Sequence, residues 1–256
     1  MLARTIIYCL LILNSLSTFA DAQFDKDYAQ ALGKWSNVLS TYVDNQGRTD
    51  FIALADNIED LQSFVDFIGA TSPKSNPELF PTKEDVLAYH INTYNALAMY
   101  GVIERKIPKA FDSFFKRASF FKFRKIIIGN KKTSLYDYEN KVIRALDEPR
   151  IHFALNCMVK DCPRLPQEPF LASTLEQQLE SATKEFFTKP KHFYLDEEKK
   201  EAYFSWILDY YSKDFIASGK RKDLIPYANS YLETLIPQDY KAKVIKYDWT
   251  VNQQPK

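Results

Sequence analysis

Apolar residues recur every three or four positions along much of this chain, which is the spacing of one face of an α-helix. The pattern predicts helices over about 25–45, 54–68, 82–105, 135–146, 173–187, 206–216 and 222–235. Three of these helices begin with a capping signal, because Thr82, Ser134 and Ser173 each stand three residues before an acidic residue. Helices therefore dominate the predicted structure.

Shorter segments show the alternation or the aromatic enrichment of β-strands. We predict strands over 120–128, 151–156 and 244–249, and a hairpin that pairs 193–195 with 202–204. In the 151–156 strand, alternation places His152 and Asn156 on the face away from the core, where they could line a cleft. Many helices with a few interspersed strands indicate an α+β fold with a small antiparallel sheet.

The first 22 residues have the pattern of an export signal. Arg4 precedes an apolar run over 6–13 that is too short to span a bilayer in the usual way, and Ala20-Asp21-Ala22 is a small-x-small cleavage site. We expect residues 1–22 to be a signal peptide and residues 23–256 to form one secreted or periplasmic domain, without stable membrane insertion after cleavage. The alternative is a retained membrane anchor.

The charge balance and the histidine pattern narrow the choice of partners. Lys and Arg number 34 against 33 Asp and Glu, which gives no electrostatic case for a nucleic acid as the main partner. The three histidines are scattered, and no C-x-x-C spacing or glycine-rich phosphate loop occurs. We therefore predict neither a metal nor another cofactor.

Basic residues alternate with aromatic ones over 111–132. One interpretation is a surface for an anionic glycan, lipid or nucleic acid. The other, which we favour at this point, is an aromatic core strand with a solvated basic face.

The candidate chemistry lies in a short stretch that contains a carboxylate, an imidazole and a thiol. Glu139 falls inside the apolar stripe of the 135–146 helix, where a carboxylate needs a partner, and His152 stands five residues before Cys157. These three groups are the parts of an activated cysteine nucleophile. The partner of Glu139 is an imidazole on this hypothesis; a buried arginine such as Arg150, or a backbone amide, is the alternative.

The catalytic hypothesis makes a demand on the backbone and has a competitor. Cys157 can reach His152 only if the chain turns sharply at Asn156–Cys157, or if Cys157 opens a helix that folds back, because an extended strand would hold the two side chains apart. Cys157 could instead form a structural or redox-controlling disulfide with Cys162, since exported proteins keep disulfides. Asn95, Asn156 or a backbone amide are candidates for stabilising an oxyanion.

Three motifs resemble the family known as domain of unknown function 547. They are Tyr89-His-Ile-Asn-Thr-Tyr-Asn-Ala-Leu97, Ser134-Leu-Tyr-Asp-Tyr-Glu139 and Asp147-Glu-Pro-Arg-Ile-His-Phe-Ala-Leu-Asn-Cys-Met-Val-Lys-Asp-Cys-Pro163, and Tyr247-Asp-Trp-Thr-Val-Asn252 looks like the C-terminal signature of that family. The resemblance implies a papain-like thiol-hydrolase fold with a rearranged chain order. It also implies a Glu–His–Cys set, which falls on Glu139, His152 and Cys157. His90 stands where the family usually has Trp, which favours a core position for it.

These observations lead to two alternative functions. The first is an exported cysteine-dependent hydrolase or acyltransferase that acts on an amide, isopeptide or ester through a thioester. The second is a binding or scaffold domain without turnover, in which Cys157 and Cys162 form a structural or redox-active disulfide.

Overall fold

The computed structural model describes residues 26–255, and helices occupy much of this range. The predicted signal peptide therefore lies outside the described residues. The α-helices are α1 (26–42), α2 (Phe51–Ala55), α3 (Glu59–Ala70), α4 (Lys83–Glu104), α5 (Phe114–Arg117), α6 (Leu135–Tyr138), α7 (Leu175–Thr188), α8 (Trp206–Tyr210), α9 (Ser212–Phe215) and α10 (Leu224–Asn229). Within the described residues, no helix combines the length and the apolar content that crossing a membrane requires.

Tighter and wider helical turns join several of these helices. The 3₁₀ segments are Pro77–Leu79, Arg144–Leu146, Pro149–Phe153, Ala172–Thr174 and Arg221–Asp223, and the π-helical segments are Ala118–Phe123 and Glu139–Ile143. Single π-helical turns inside a helix are rare overall, and those that occur are often found at functional sites. The second one begins at the glutamate of the predicted catalytic set.

Two small sheets complete the fold. Strands β1 (Ile126–Ile128) and β2 (Lys131–Thr133) form an antiparallel pair, and β3 (Phe193–Asp196), β4 (Glu201–Phe204) and β5 (Lys241–Val244) form a second sheet. In the second sheet, β3 and β4 are antiparallel and β5 runs parallel to β4, with Phe204 opposite both Phe193 and Val244. The predicted hairpin is confirmed, as is the helix-rich α+β class with a small antiparallel sheet.

Helix α4 lies in the middle of the larger hydrophobic core. Its start is fixed by a capping box, in which the Thr82 side chain accepts from the Asp85 amide and the Asp85 side chain accepts from the Thr82 amide. Fifteen of its 22 residues are buried, so the helix has no solvent-facing stripe over most of its length. Asn92, one of its buried polar side chains, is satisfied inside the protein by hydrogen bonds with Trp35 and the backbone of Phe170.

The predicted strand over 151–156 is wrong, because Pro149–Phe153 forms a 3₁₀ helix. Pro149 occupies the start of this helix, where its missing N–H costs nothing, and the Glu148 side chain accepts a hydrogen bond from the Arg150 amide. The Ile151 carbonyl then accepts from the amides of Ala154 and Leu155. This local turn chemistry overrides the alternating pattern, and the chain turns here before it reaches Cys157.

Other predicted boundaries also change. Residues 118–123 are π-helical, so only the end of the predicted 120–128 strand is β-structure. The predicted 135–146 helix passes from α to π to 3₁₀ geometry, and the last two predicted helices are shorter. Of the predicted 244–249 strand only Val244 is in a strand, as the last residue of β5, and the isolated bridges lie further on, including one between Val251 and Val159.

The short helix that carries His152 lies between two hydrophobic clusters. Ile151 and Ala154 belong to the larger cluster around α4, whereas Phe153 belongs to a smaller one together with Phe186 and Phe204. Burial on both sides fixes the orientation of this turn. The segment around His152 is consequently a rigid support for functional side chains.

Candidate functional site

All three residues of the predicted catalytic set line one cavity of about 850 Å³. Glu139, His152 and Cys157 share this cavity with aromatic side chains from several parts of the chain, namely Tyr94, Phe114, Phe121, Tyr136, Trp206, Tyr210, Tyr211, Tyr247 and Trp249. We call it the aromatic cavity. Its size and its apolar lining with a few polar groups are typical of a small-molecule or substrate site.

The imidazole of His152 is held by Asp214, a residue of α9. His152 Nε2 lies 2.7 Å from Asp214 Oδ2, and the Arg144 guanidinium donates from Nε and Nη2 to the two carboxylate oxygens at 2.6 Å each. His152 is 3% exposed, and its ring stacks on Tyr211 with 4.0 Å between centroids. The orientation of the imidazole is therefore fixed by both a hydrogen bond and a ring contact.

The protonation state of Asp214 determines which nitrogen of His152 is free. Burial pushes the pKa of Asp214 upward, but the hydrogen bonds from His152 and Arg144 and the electrostatic attraction of these two residues outweigh it and hold the pKa well below its ordinary value. An ionised carboxylate can only accept hydrogen bonds, so His152 Nε2 must carry a proton. In the neutral imidazole the lone pair is then on Nδ1.

The hydrogen bonds to Glu139 come from two tyrosines rather than from the expected imidazole. Arg150, the alternative partner, does not pair with Glu139 but with Glu148 and Glu176. Tyr94 donates to Glu139 Oε2 at 3.1 Å, and the Tyr211 hydroxyl donates to Oε1. Burial, reinforced by the charge of Glu139, raises the pKa of both tyrosines well above the ordinary value, so both remain neutral donors.

Glu139 nevertheless influences His152 through one intermediate residue. The Tyr211 hydroxyl donates to Glu139, and the Tyr211 ring stacks on the imidazole. The carboxylate that was expected to orient the imidazole directly thus fixes the ring against which the imidazole packs, while Asp214 makes the direct contact.

Cys157 and Cys162 form a disulfide, which was one of the two alternatives for these residues. The Cys157 amide also donates to Cys162 Sγ at 3.0 Å, and the Tyr247 hydroxyl lies 3.6 Å from each sulfur. Cys157 is half-buried and faces the aromatic cavity, whereas Cys162 is buried. The Cys157 sulfur is therefore positioned at the cavity wall but is not a thiol in this form.

Asn95 and Asn156 hold the turn that presents Cys157. Asn95 donates to the Ala154 carbonyl at 3.0 Å and accepts from the Asn156 amide at 2.7 Å, while Asn156 donates to the Pro163 carbonyl at 2.6 Å and accepts from the Met158 amide. Both side chains are buried and outside the lining of the aromatic cavity. Their hydrogen bonds to backbone groups argue for a positioning role in place of the predicted oxyanion role.

A second cavity, of about 1000 Å³, lies on the other side of the disulfide segment and contains none of the predicted catalytic residues. Pro163 lines both cavities. Lys191 donates to the carbonyls of Lys160 and Cys162, and burial lowers its pKa. The segment over 157–163 is consequently a wall that is fixed from both sides.

The remaining histidines are packed in the core. His90 contacts the Tyr138 hydroxyl, and burial lowers its pKa to about 4; burial, with smaller effects from Lys191 and Lys189, lowers the pKa of His192 to about 2. Both are neutral at neutral pH. Within residues 26–255, no group of three or more His, Cys, Asp or Glu side chains is arranged to hold a metal ion.

Sequence analysis missed four residues of the site. Arg144, Tyr211 and Asp214 surround His152 and Glu139, and Tyr247 contacts the disulfide. Asp214 is 62 positions from His152, in a segment whose pattern indicates only an amphipathic helix. No local signal marks it, because the contact depends on how α9 packs beside the 3₁₀ helix. Tyr247 did stand in a recognised motif, which gave it no chemical role.

Comparison with known proteins identifies one segment. Residues 79–187 match the family model described as Protein of unknown function, DUF547. No curated protein and no solved structure matches the chain, so the papain-like fold stays a prediction. The matched segment includes Glu139, His152 and both cysteines of the disulfide, whereas Asp214 and Tyr247 lie beyond it. Residues 79–187 therefore form a DUF547 segment, and the function of that family is unknown.

Proposed function

We propose that the aromatic cavity is the active site of a cysteine-dependent hydrolase or acyltransferase that is inactive while the Cys157–Cys162 disulfide is intact. The observation that carries the proposal is that Cys157 and His152 line one cavity while Asp214 holds the far side of the imidazole at 2.7 Å. A nucleophile, a base and a group that orients the base are the three parts of such a site.

The first step is reduction of the disulfide. Two thiols of a reductant supply the electrons, and the products are free Cys157, free Cys162 and the oxidised reductant. Cys157 is the more accessible of the two sulfurs, since it faces the cavity while Cys162 is buried. If the chain is exported, as its N-terminal pattern predicts, the oxidised form is the resting form.

The second step is acylation of Cys157. His152 takes the Cys157 proton on Nδ1, because Asp214 keeps the Nε2 proton in place. The thiolate attacks the substrate carbonyl, and His152 then returns the proton to the departing amine or alcohol, which leaves a thioester. Water resolves this thioester in a hydrolase, and a second amine or alcohol resolves it in an acyltransferase.

The developing oxyanion requires donors near the sulfur, and two are available. The Tyr247 hydroxyl lies 3.6 Å from Cys157 Sγ, and the Cys157 amide is released from its contact with Cys162 when that sulfur moves away. Burial, with smaller effects from Asp161 and Glu139, raises the pKa of Tyr247 well above its ordinary value, so it remains a donor at neutral pH.

The lining of the cavity favours a substrate with an apolar or ring-shaped face close to the reacting carbonyl. Trp206 stacks on Tyr210 with 4.4 Å between centroids, and Tyr247 lies 4.8 Å from Trp249. Three cations, Arg117, Lys122 and Lys246, also line the cavity. An acyl donor that combines an apolar part with a negative charge fits this arrangement.

A binding domain without turnover is the second candidate, and the disulfide itself favours it. Among the described residues that line the aromatic cavity, the bond consumes the one cysteine sulfur, and it braces the segment that separates the two cavities. On this alternative, reduction loosens the wall and creates no activity.

Intact-mass measurement after incubation with p-nitrophenyl acetate separates the two candidates. We expect no adduct on the oxidised chain, one acetyl group after mild reduction, and one acetyl group without reduction in Cys162→Ala. Cys157→Ala is the matched control and should never be acetylated. Absence of acetylation from both the reduced chain and Cys162→Ala, with the fold intact by circular dichroism, contradicts the enzyme and leaves the binding domain.

A further inference from the structure

Three phenylalanine side chains point to solvent along one helical segment. Phe114 and Phe115 in α5 are 71% and 81% exposed, and Phe123, at the end of the following π-helical segment, is 67% exposed. Phe114 and Phe115 lie 5.8 Å apart between ring centroids. Exposed apolar side chains that are clustered in this way mark a surface that another molecule covers.

The helical segment itself is firmly attached to the core. Phe120 is fully buried and packs against Phe111 with 4.4 Å between ring centroids. Eight residues, or about two helical turns, separate Phe115 from Phe123, so these two rings project from the same side of the segment. The exposed phenylalanines are thus fixed outward by a buried anchor. This arrangement contradicts the core-strand interpretation of residues 111–132.

The stretch of sequence that contains these rings is rich in positive charge. Residues 105–132 contain ten lysines and arginines and a single acidic residue, Asp112, in a chain whose net charge is only +1. Asp112 is already paired with Lys116 at 2.9 Å. Within the described residues, Lys122, Lys131 and Lys132 are exposed and form no ion pair. We call this combination of rings and lysines the basic–aromatic edge.

We propose that the basic–aromatic edge docks on the surface of a bilayer that contains anionic phospholipids. The phenylalanine rings would enter the boundary between headgroups and acyl chains, while the lysines contact lipid phosphates. A lipid surface accepts apolar rings and amines together, and this complementarity of charge and hydrophobicity is what the edge presents. The interaction is peripheral.

The edge adjoins the aromatic cavity. Phe114 and Lys122 belong to the edge and also line the cavity. Arg117, which lies between them in the sequence, also lines the cavity, and its guanidinium lies over the Trp249 ring at 4.8 Å from the centroid. Docking therefore brings the cavity close to the bilayer, where amphiphilic acyl donors are concentrated. This consequence rests on the proposed function, whereas docking itself does not.

The test is co-sedimentation of the full chain with large unilamellar vesicles of phosphatidylcholine, with and without phosphatidylglycerol, at low and high salt. We expect binding that requires phosphatidylglycerol and weakens with salt. A Phe114→Ser, Phe115→Ser, Phe123→Ser variant should bind at least about tenfold more weakly. A Lys122→Gln, Lys131→Gln, Lys132→Gln variant should lose on the order of fivefold per lysine.

Matched controls remove exposed residues of the same types elsewhere. They are Ile52→Ser, Leu171→Ser, Leu235→Ser for the rings, and Lys220→Gln, Lys222→Gln, Lys241→Gln for the charges; all six positions are exposed. Both controls should bind as the unmodified chain does. Each control variant changes the same number and type of residues as the corresponding edge variant, so a loss of vesicle binding seen only in the edge variant is caused by the edge.

Three outcomes overturn the proposal. The first is equal binding to both kinds of vesicle, and the second is a loss in the control variants as large as the loss in the edge variants. The third is absence of vesicle binding while the phenylalanine substitutions abolish self-association in size-exclusion chromatography or binding of a DNA or RNA oligonucleotide. Acetylation of Cys157 is measured separately, so failure of docking and failure of the proposed enzyme give different results.

Discussion

Replacing Asp214 with asparagine should destabilise the protein and disable His152. Asp214 accepts three charge-assisted hydrogen bonds, from His152 Nε2 at 2.7 Å and from Arg144 Nε and Nη2 at 2.6 Å each. Such bonds contribute about 1.5–3 kcal/mol each when fully buried. The Asp214 side chain is 21% exposed, which reduces that value through solvent screening. Since asparagine retains one acceptor, we expect Asp214→Asn to lower the free energy of unfolding by about 2–3 kcal/mol.

The sign of the pH dependence follows from the depressed pKa of Asp214. Stability from a carboxylate with a lowered pKa is fully present above the ordinary pKa and is lost as the pH falls through the folded-state value. The stability difference between the unmodified chain and Asp214→Asn should therefore be largest at neutral pH and should shrink below about pH 4. Urea unfolding monitored by circular dichroism at several pH values measures it.

The same substitution should also affect the chemistry. The asparagine side chain can present an N–H to His152 Nε2, which would move the imidazole proton to Nδ1 and remove the base. In reduced protein we expect acetylation of Cys157 to slow by on the order of 10³–10⁴-fold, by analogy with the loss when an aspartate–histidine pair is altered in a serine protease. Unchanged stability at neutral pH, together with an unchanged acetylation rate, would refute the role assigned to Asp214.

Three further predictions concern neighbouring residues. Tyr211→Phe removes one donor to Glu139 but keeps the ring on His152. Stability in urea unfolding should therefore fall by about 1–3 kcal/mol, while the rate of acetylation of reduced protein in the mass assay changes by less than about tenfold. An unchanged stability or a larger loss of acetylation would contradict this prediction. Asn95→Ala removes two buried hydrogen bonds to backbone groups, and we expect a loss of about 2–4 kcal/mol in urea unfolding; a neutral effect contradicts its positioning role. Burial lowers the pKa of His90 to about 4, so His90 takes up a proton in the unfolded chain before it does so in the folded protein as the pH falls, and stability should decrease between about pH 6.5 and 4. His90→Phe should make the slope of stability against pH shallower by up to about 1.4 kcal/mol per pH unit. Identical slopes for the two proteins would count against this prediction.

The sequence predicted what depends on local pattern. The helix caps at Thr82 and Ser134 form as expected, and Glu139 is only 8% exposed, as its place in an apolar stripe indicated. These features depend on residues a few positions apart, so hydrophobic periodicity and capping chemistry are sufficient to find them.

The partners of the functional side chains could not be predicted in the same way. Glu139 meets Tyr94 from α4 and Tyr211 from the junction of α8 and α9, and His152 meets Asp214 from α9. Each contact joins segments that are distant in sequence, and a single sequence contains no signal for such pairs. The turn at Pro149 is a different case, because its cap was present in the sequence and the alternating pattern concealed it.

The most direct test of the account is the pH dependence of Cys157 alkylation by iodoacetamide in Cys162→Ala. If His152 and Cys157 act together, the imidazolium stabilises the thiolate, and alkylation should remain fast well below the ordinary thiol pKa of about 8.5. A second substitution, His152→Ala, should return the profile to that ordinary value. An ordinary profile in Cys162→Ala with His152 intact would contradict the claim that these two residues form one catalytic site.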